Sequence, residues 1–261
     1  MLVLSRLGLV NDLLAAFPSE VLLKMEQHIE SVELESGQVL YDSGAELRYA
    51  YFPSTAVVSL FSLLEEGVGT EIAVVGHEGI VGVGSFMGTR KAMSSAVVHR
   101  KGHALRLSAR HMEELVSNHQ VVPHLLRYSQ TLFTNMAQTA ACRTHHPLYK
   151  QLCSWLLQHL DCQKEDDLYV TQERIAGMLG VRRESVTEAA LKLQREGVIT
   201  YQRGLIKVID RCKLEHEACE CYSVINGSLM KLRLEQCAGR THLTPGHTAQ
   251  GLHMPQGQLQ H

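Results

Sequence analysis

Gly180 and Gly197 divide residues 171–210 into two segments with helical periodicity and a third with two short apolar runs, and this order leaves few folds open. Before the first glycine, three apolar residues recur at helical spacing: Ile175, Ala176 and Leu179. Gly180 then suits a tight turn that needs a left-handed residue, and a second helical stripe follows it: Val186, Ala189, Ala190 and Leu193. After Gly197, two short apolar runs flank residues 202–204. The segment therefore predicts a helix, a turn, a second helix and a β-hairpin, which together make a winged helix-turn-helix.

The second predicted helix exposes polar residues at its N-terminal end, opposite its apolar stripe. If this helix enters the major groove of double-stranded DNA, four residues face the base edges: Arg183, Glu184, Thr187 and Glu188. Five neighbouring residues are expected to contact phosphates: Thr171, Arg182, Ser185, Arg203 and Lys207. Residues 171–209 hold seven Lys or Arg and four Glu, a charge of +3, whereas the whole chain has a formal charge of −2. The local positive charge favours DNA over the alternative, a module that packs only on protein.

The rest of the chain changes from helices to strands and back. Residues 30–107 contain short apolar runs separated by glycines, which predicts an antiparallel β-roll. A long apolar helix follows, and its stripe packs on its own domain, on a second copy of the chain, or on both. We expect a homodimer through three of its residues: Leu125, Leu132 and Met136. The predicted fold is α+β, with a roll domain at 1–120, a dimerisation helix at 121–145, a winged helix at 146–222 and a disordered tail at 223–261.

The sequence RRESVTEAALKLQREGVI and the glycine-containing hairpin after it resemble the C-terminal domain of the cyclic-AMP receptor protein / FNR family of bacterial transcription regulators. The resemblance extends over most of the chain, to about Asp210. It implies a homodimer on a pseudo-palindromic operator, RNA polymerase as a further partner, and an allosteric input at the β-roll. In the family an Arg-Glu pair contacts guanine and cytosine, and Arg183 and Glu184 match that pair. Glu188 stands where the best-known members carry a second base-contacting Arg, so a different half-site is expected.

The effector of such a regulator is less evident from the sequence. The best match to the family's cyclic-nucleotide anchors lies at Gly82-Val83 and Ser94-Ser95, where Val83 and Ser94 replace the Glu and Arg that hold ribose and phosphate. Cyclic AMP is therefore not expected. The FNR type of iron–sulfur sensing needs N-terminal cysteines, and no cysteine precedes Cys142. A different small molecule, such as a cyclic dinucleotide, and a metal, redox or haem signal remain the alternatives.

The cysteines and histidines offer a weak metal signal. The seven cysteines are odd in number and follow no export signal, which is typical of reduced thiols in a cytoplasmic protein. Cys212, Cys219 and Cys221 could bind zinc, but they include only one close pair, whereas a tetrahedral site uses two. We therefore expect no metal and no cofactor; haem on His77 is a second alternative. No catalytic arrangement and no apolar run of about 20 residues stand out, so we expect neither an enzyme nor a membrane partner.

Overall fold

The computed structural model describes residues 10–65, 69–163 and 167–241, with side chains up to Leu234. Residues 1–9, the start of the expected roll domain, and residues 242–261, the last part of the expected tail, lie outside the described residues. The first half contains helices α1 (Asp12–Ala15) and α2 (Ser19–Met25), then strands β1 (Glu30–Leu34), β2 (Val39–Tyr41), β3 (Tyr49–Pro53), β4 (Val57–Leu63), β5 (Gly69–Val75), β6 (Ser95–Arg100) and β7 (Gly102–Ser108). The second half contains α3 (Ala109–Val116), α4 (Val122–His145), α5 (Leu148–Asp161), β8 (Asp167–Tyr169), α6 (Gln172–Leu179), α7 (Arg183–Arg195), β9 (Ile199–Gln202), β10 (Leu205–Val208), α8 (Arg211–Glu217) and α9 (Glu220–Thr241).

The seven N-terminal strands form a β-roll of two antiparallel sheets. One sheet has the order β1-β7-β3 and the other β2-β6-β4-β5. Apolar residues from both sheets, among them Phe52, Val58 and Leu105, meet in one buried core. The predicted α+β class, with an N-terminal β-roll and a C-terminal helix-turn-helix, is confirmed. Among the described residues, no helix is long and apolar enough to cross a membrane.

The long helix α4 turns its strongest apolar stripe toward its own β-roll. Leu125 and Leu132 are only 1% and 3% exposed and belong to the core of the roll, and Met136 packs against the same core. The prediction that these residues form a dimer interface is therefore wrong for Leu125 and Leu132, because their surfaces are already covered within one chain. The large apolar side chains that α4 exposes are Leu126 and Phe133, at 59% and 44% exposure.

The C-terminal helix α9 covers residues 223–241, about the first half of the segment 223–261 that was expected to be a disordered tail. It runs antiparallel to α4: its start lies near the end of α4, and Ser228 Oγ lies 3.2 Å from Asn135 Oδ1 farther along. Ile225 is buried and Leu232 joins the core of the β-roll. The expectation of disorder is wrong for residues 223–241, because apolar residues at helical spacing find a groove beside α4.

A buried polar contact joins the β-roll to the C-terminal domain. Glu71 Oε1, on β5, accepts hydrogen bonds from Trp155 Nε1 (2.7 Å) and His159 Nε2 (3.1 Å), both on α5. Burial alone would raise the pKa of Glu71, but the adjacent His159 outweighs it and lowers the pKa to about 2. Burial lowers the pKa of the neighbouring His99 to about 3. A second link is the guanidinium of Arg174 on α6, which donates to the Val98 carbonyl at 3.3 Å.

Candidate nucleic-acid interface

The turn between α6 and α7 is set by the residues at the two ends of α6. Thr171 caps the helix, and its hydroxyl accepts a hydrogen bond from Arg174 N at 3.2 Å. Gly180 ends the helix in the left-handed region with φ of 67°. A Cβ at this glycine would lie 2.8 Å from Thr70 Oγ1 of the β-roll, so the position needs glycine for its backbone angle and for its space. The turn therefore fixes where α7 begins.

Helix α7 buries one face and exposes the N-terminal part of the other. The buried residues are those of the predicted stripe: Val186, Ala189, Ala190 and Leu193. Arg182, Arg183, Glu184 and Glu188 are exposed, and Ser185 is partly buried. Within the described chain no ion pair engages the two arginines. Two positive side chains and two carboxylates thus project together from the start of α7.

Thr187 differs from the other residues predicted to read bases. Its hydroxyl lies 2.8 Å from Gln172 Oε1 and 3.0 Å from the Arg183 carbonyl oxygen, so it donates its one proton within the domain. The side chain is only partly exposed. Thr187 therefore links α7 to α6, whereas the other three residues predicted to read bases are exposed: Arg183, Glu184 and Glu188.

The wing is a β-hairpin with a two-residue turn. Gln202 pairs with Leu205, which leaves Arg203 and Gly204 at the tip with φ of 50° and 80°. An arginine with positive φ costs about 1–2 kcal/mol of backbone strain, so the turn itself gives no reason for an arginine at this tip. Burial raises the pKa of Tyr201 to about 12, partly offset by the charge of Arg183. Lys207 lies on β10 and pairs with Asp167 at 3.6 Å.

The residues matched to the nucleotide anchors do not enclose a ligand-sized space. Gly82, Val83 and Ser94 line a cavity of only about 10 Å³, which Leu132 and Met136 of α4 close from the other side. Ligand sites usually measure about 300–1,000 Å³, and this space is close to that of one water molecule. Ser95 is buried elsewhere, where its hydroxyl accepts a hydrogen bond from Ser43 N at 3.0 Å. The structure thus brings three of the four predicted effector residues together around a space too small for a nucleotide.

The structure divides the three cysteines that were singled out in the sequence. Cys219 and Cys221 are buried together, whereas Cys212 is exposed and stands apart. Cys142 and His146, at the end of α4, join the buried pair, and the ligand atoms of all four residues lie within 4.8 Å of one another. Cys142 and His146 were not predicted from the sequence, although their four-residue spacing puts them on one side of a helix end.

Two family models match the chain, each over the region with the corresponding geometry. The model described as a Crp-like helix-turn-helix domain matches residues 150–217, and the model described as a cyclic nucleotide-binding domain matches residues 31–119. The chain belongs to the cyclic-AMP receptor protein / FNR family. The family expected from the residues of α7 is thereby confirmed. This CRP/FNR-type regulator has a domain of the cyclic nucleotide-binding class, followed in the chain by a DNA-binding helix-turn-helix domain.

Solved structures share the fold of this CRP/FNR-type regulator at low sequence identity. FixK2 from Bradyrhizobium japonicum is 14% identical, with a TM-score of 0.64 over 73% of this chain and 98% of that one. TTHB099, a CRP-family transcriptional regulator from Thermus thermophilus, is 22% identical, with a TM-score of 0.60 over 72% and 96%. The c-di-GMP responsive regulator CLP from Xanthomonas campestris is 13% identical, with a TM-score of 0.59 over 74% and 100%. No curated protein matches the chain in sequence.

Proposed function

We propose that this regulator binds a pseudo-palindromic operator as a homodimer, with α7 in the major groove of each half-site. The observation that carries the proposal is the exposure of Arg183, Glu184 and Glu188 at the start of α7. An arginine matches the two acceptors of guanine, and a glutamate accepts from the cytosine amine. Arg203, at the wing tip, is placed to contact a phosphate outside the base-reading surface. RNA polymerase is the further partner that a transcription regulator of this family would engage.

The dimer that we propose uses the outer face of α4. Six exposed or partly exposed positions follow one another at alternating intervals of four and three residues: Leu126, Gln130, Phe133, Ala137, Ala140 and Thr144. This heptad spacing is typical of a seam between two long helices, and the alanines allow the helices to approach closely. The seam lies on the side of α4 that does not face the β-roll. It replaces Leu125 and Leu132 of the sequence-based prediction.

We propose that DNA binding is not controlled by a nucleotide bound at the positions that match the family's cyclic-nucleotide anchors. Val83 and Ser94 offer no charge to a ribose or a phosphate, and the cavity between the roll and α4 measures only about 10 Å³ and is lined mainly by apolar side chains. A cyclic dinucleotide, the effector named for the Xanthomonas protein, is larger still. We therefore infer that the signal acts elsewhere and shifts the two α7 helices of the dimer relative to each other.

The test of the proposal measures DNA affinity by fluorescence anisotropy, on an operator selected in vitro with the full-length protein. Arg183→Ala should weaken binding by about 5- to 150-fold and relax the preference at one base pair per half-site, because a bidentate arginine–guanine contact is worth about 1–3 kcal/mol. Glu188→Arg should change the preferred half-site without abolishing binding. The matched control is Arg195→Ala, since Arg195 is exposed at the other end of α7.

The wing and the salt dependence separate DNA binding from docking on a protein. Arg203→Ala should weaken all DNA sequences similarly and flatten the dependence of affinity on salt by about one unit of slope, because one phosphate contact is lost. Thermal melting must show that each variant remains folded. A folded Arg183→Ala dimer with unchanged affinity and base preference would contradict the assignment of α7, and binding without salt dependence would favour a protein partner.

A further inference from the structure

The four residues Cys142, His146, Cys219 and Cys221, called here the thiol–imidazole cluster, come from two distant parts of the chain. Cys142 lies in the last turn of α4 and His146 follows its end. Cys219 lies between α8 and α9, and Cys221 in the first turn of α9. Cys142 Sγ and Cys219 Sγ are 3.5 Å apart, and Cys221 Sγ is 3.4 Å from His146 Nδ1. Each residue therefore directs its one ligand atom toward the same point.

These distances match the edges of a tetrahedron around a single zinc ion. With Zn–S bonds of about 2.3 Å and Zn–N bonds of about 2.0–2.1 Å, tetrahedral geometry puts two sulfurs about 3.8 Å apart and a sulfur and a nitrogen about 3.5 Å apart. All four ligand atoms lie within 4.8 Å of one another. Ligands this close surround one ion, whereas a cluster of several irons holds its cysteines farther apart.

The surroundings of the cluster are also those of a closed metal site. Cys142, Cys219 and Cys221 are 6%, 3% and 1% exposed, so four protein ligands would fill the coordination sphere and leave no position for water. Gln138 Nε2 donates to Cys221 Sγ at 3.2 Å, and Ser154 Oγ lies 3.1 Å from Cys219 Sγ. Such donors offset the negative charge of coordinated thiolates.

The imidazole is held in the orientation that a metal ligand needs. His146 Nδ1 faces the cysteines, and its Nε2 lies 3.3 Å from Glu220 Oε1. A carboxylate on the second ring nitrogen fixes the tautomer in which Nδ1 keeps a free lone pair, as is usual for histidines that bind zinc.

We propose that Cys142, His146, Cys219 and Cys221 bind one structural zinc ion. The site is independent of the proposed operator binding, but its position gives it a consequence for that function. The ion ties the end of α4 to the segment between α8, the last helix of the DNA-binding domain, and α9, which packs back along α4. Zinc thereby fixes the DNA-binding domain to the helix that we propose as the dimer seam.

Metal content and cobalt spectra of the full-length protein test the proposal. Protein purified under reducing conditions without chelator should contain one zinc ion per chain, as measured by inductively coupled plasma mass spectrometry. Protein stripped with a chelator should take up one cobalt(II) ion and show the ligand-field bands of a tetrahedral thiolate site. Cys221→Ser and His146→Gln should raise the dissociation constant for zinc at least tenfold, and the second variant retains the three buried cysteines if the first fails to fold.

The matched control is Cys212→Ser, because Cys212 is exposed and lies outside the cluster. It should keep one zinc ion per chain and the affinity of the unchanged protein. Three results would overturn the proposal: substoichiometric zinc with no tetrahedral cobalt spectrum, zinc binding that survives both ligand substitutions, or a Cys142–Cys219 disulfide that persists in protein purified in the presence of a reductant.

Discussion

Removing the carboxylate of Glu71 tests whether one buried contact holds the β-roll against the DNA-binding domain. Glu71 Oε1 accepts two hydrogen bonds from α5, and the donors Trp155 and His159 are only 2% and 1% exposed. In Glu71→Ala neither donor can turn to water, so both stay unsatisfied. Trp155 is the only tryptophan of the chain and also belongs to the core of the DNA-binding domain, so its fluorescence reports on this interface and on the unfolding of that domain.

The expected loss follows from the number and kind of these hydrogen bonds. A hydrogen bond to a charged group contributes about 1.5–3 kcal/mol, and the desolvation of the carboxylate offsets part of the two, so we expect Glu71→Ala to lower the free energy of unfolding by about 3 kcal/mol. Glu71→Gln keeps one carbonyl oxygen for Trp155 but loses the charge, and about half of that loss is expected.

Urea unfolding followed by Trp155 fluorescence measures the effect. A loss of about 3 kcal/mol should lower the urea midpoint by about 1 M or more, given slopes of about 1–3 kcal/mol per molar. The control is Glu33→Gln, which neutralises an exposed carboxylate on β1 and should leave the midpoint unchanged.

The pH dependence provides a second arm with a defined sign. His159 lowers the pKa of Glu71 from its ordinary value of 4.5 to about 2, against the opposing effect of burial. The carboxylate's contribution is therefore complete above pH 4.5 and is lost as the pH falls toward 2. The difference in stability between the unchanged protein and Glu71→Gln should shrink over that range. An Ala variant with an unchanged midpoint and emission spectrum would refute the role of Glu71 between the domains.

Two further predictions concern the proposed dimer seam and the turn of the helix-turn-helix. Phe133→Glu should shift the protein from dimer toward monomer in sedimentation, because it puts a charge into the outer face of α4. The control Leu23→Glu, at an exposed leucine of α2 outside that face, should not. A monomeric unchanged protein at micromolar concentration would remove the basis of this prediction. Gly180→Ala should lower stability by about 1–2 kcal/mol, and Gly177→Ala, in an open helical position, should raise it by about 0.5–1 kcal/mol in thermal or urea unfolding. Equal effects of the two alanines would show that the turn does not need its left-handed residue.

The parts of the fold that the sequence predicted are those fixed by local chemistry. Gly180 adopts the left-handed conformation that a turn requires, and the stripe from Val186 to Leu193 is buried within α7. Both features depend only on residues that are close in the sequence, because helical periodicity and the conformation of glycine are local properties of the chain. The β-roll followed in the same way from short apolar runs separated by turn residues.

The errors concern which surfaces meet, because that depends on residues far away in the sequence. On α4 both Leu125 and Leu126 are apolar, and the pattern does not tell which of them faces the roll. Ile225 and Leu232 lie at helical spacing, but the groove that buries them is made by α4. Cys142 and Cys219 are 77 positions apart, and no motif of fixed spacing joins them.

The packing of α9 constrains the order in which the two domains can finish folding during synthesis. Leu232 belongs to the core of the β-roll, whose other buried members all precede residue 133. A ribosome makes the whole DNA-binding domain before it makes this side chain, although domains usually fold from the N-terminus during synthesis. The nascent roll therefore keeps an apolar groove open throughout translation of the second domain and closes it only when α9 emerges. The first domain of the chain to be made is the last to be completed.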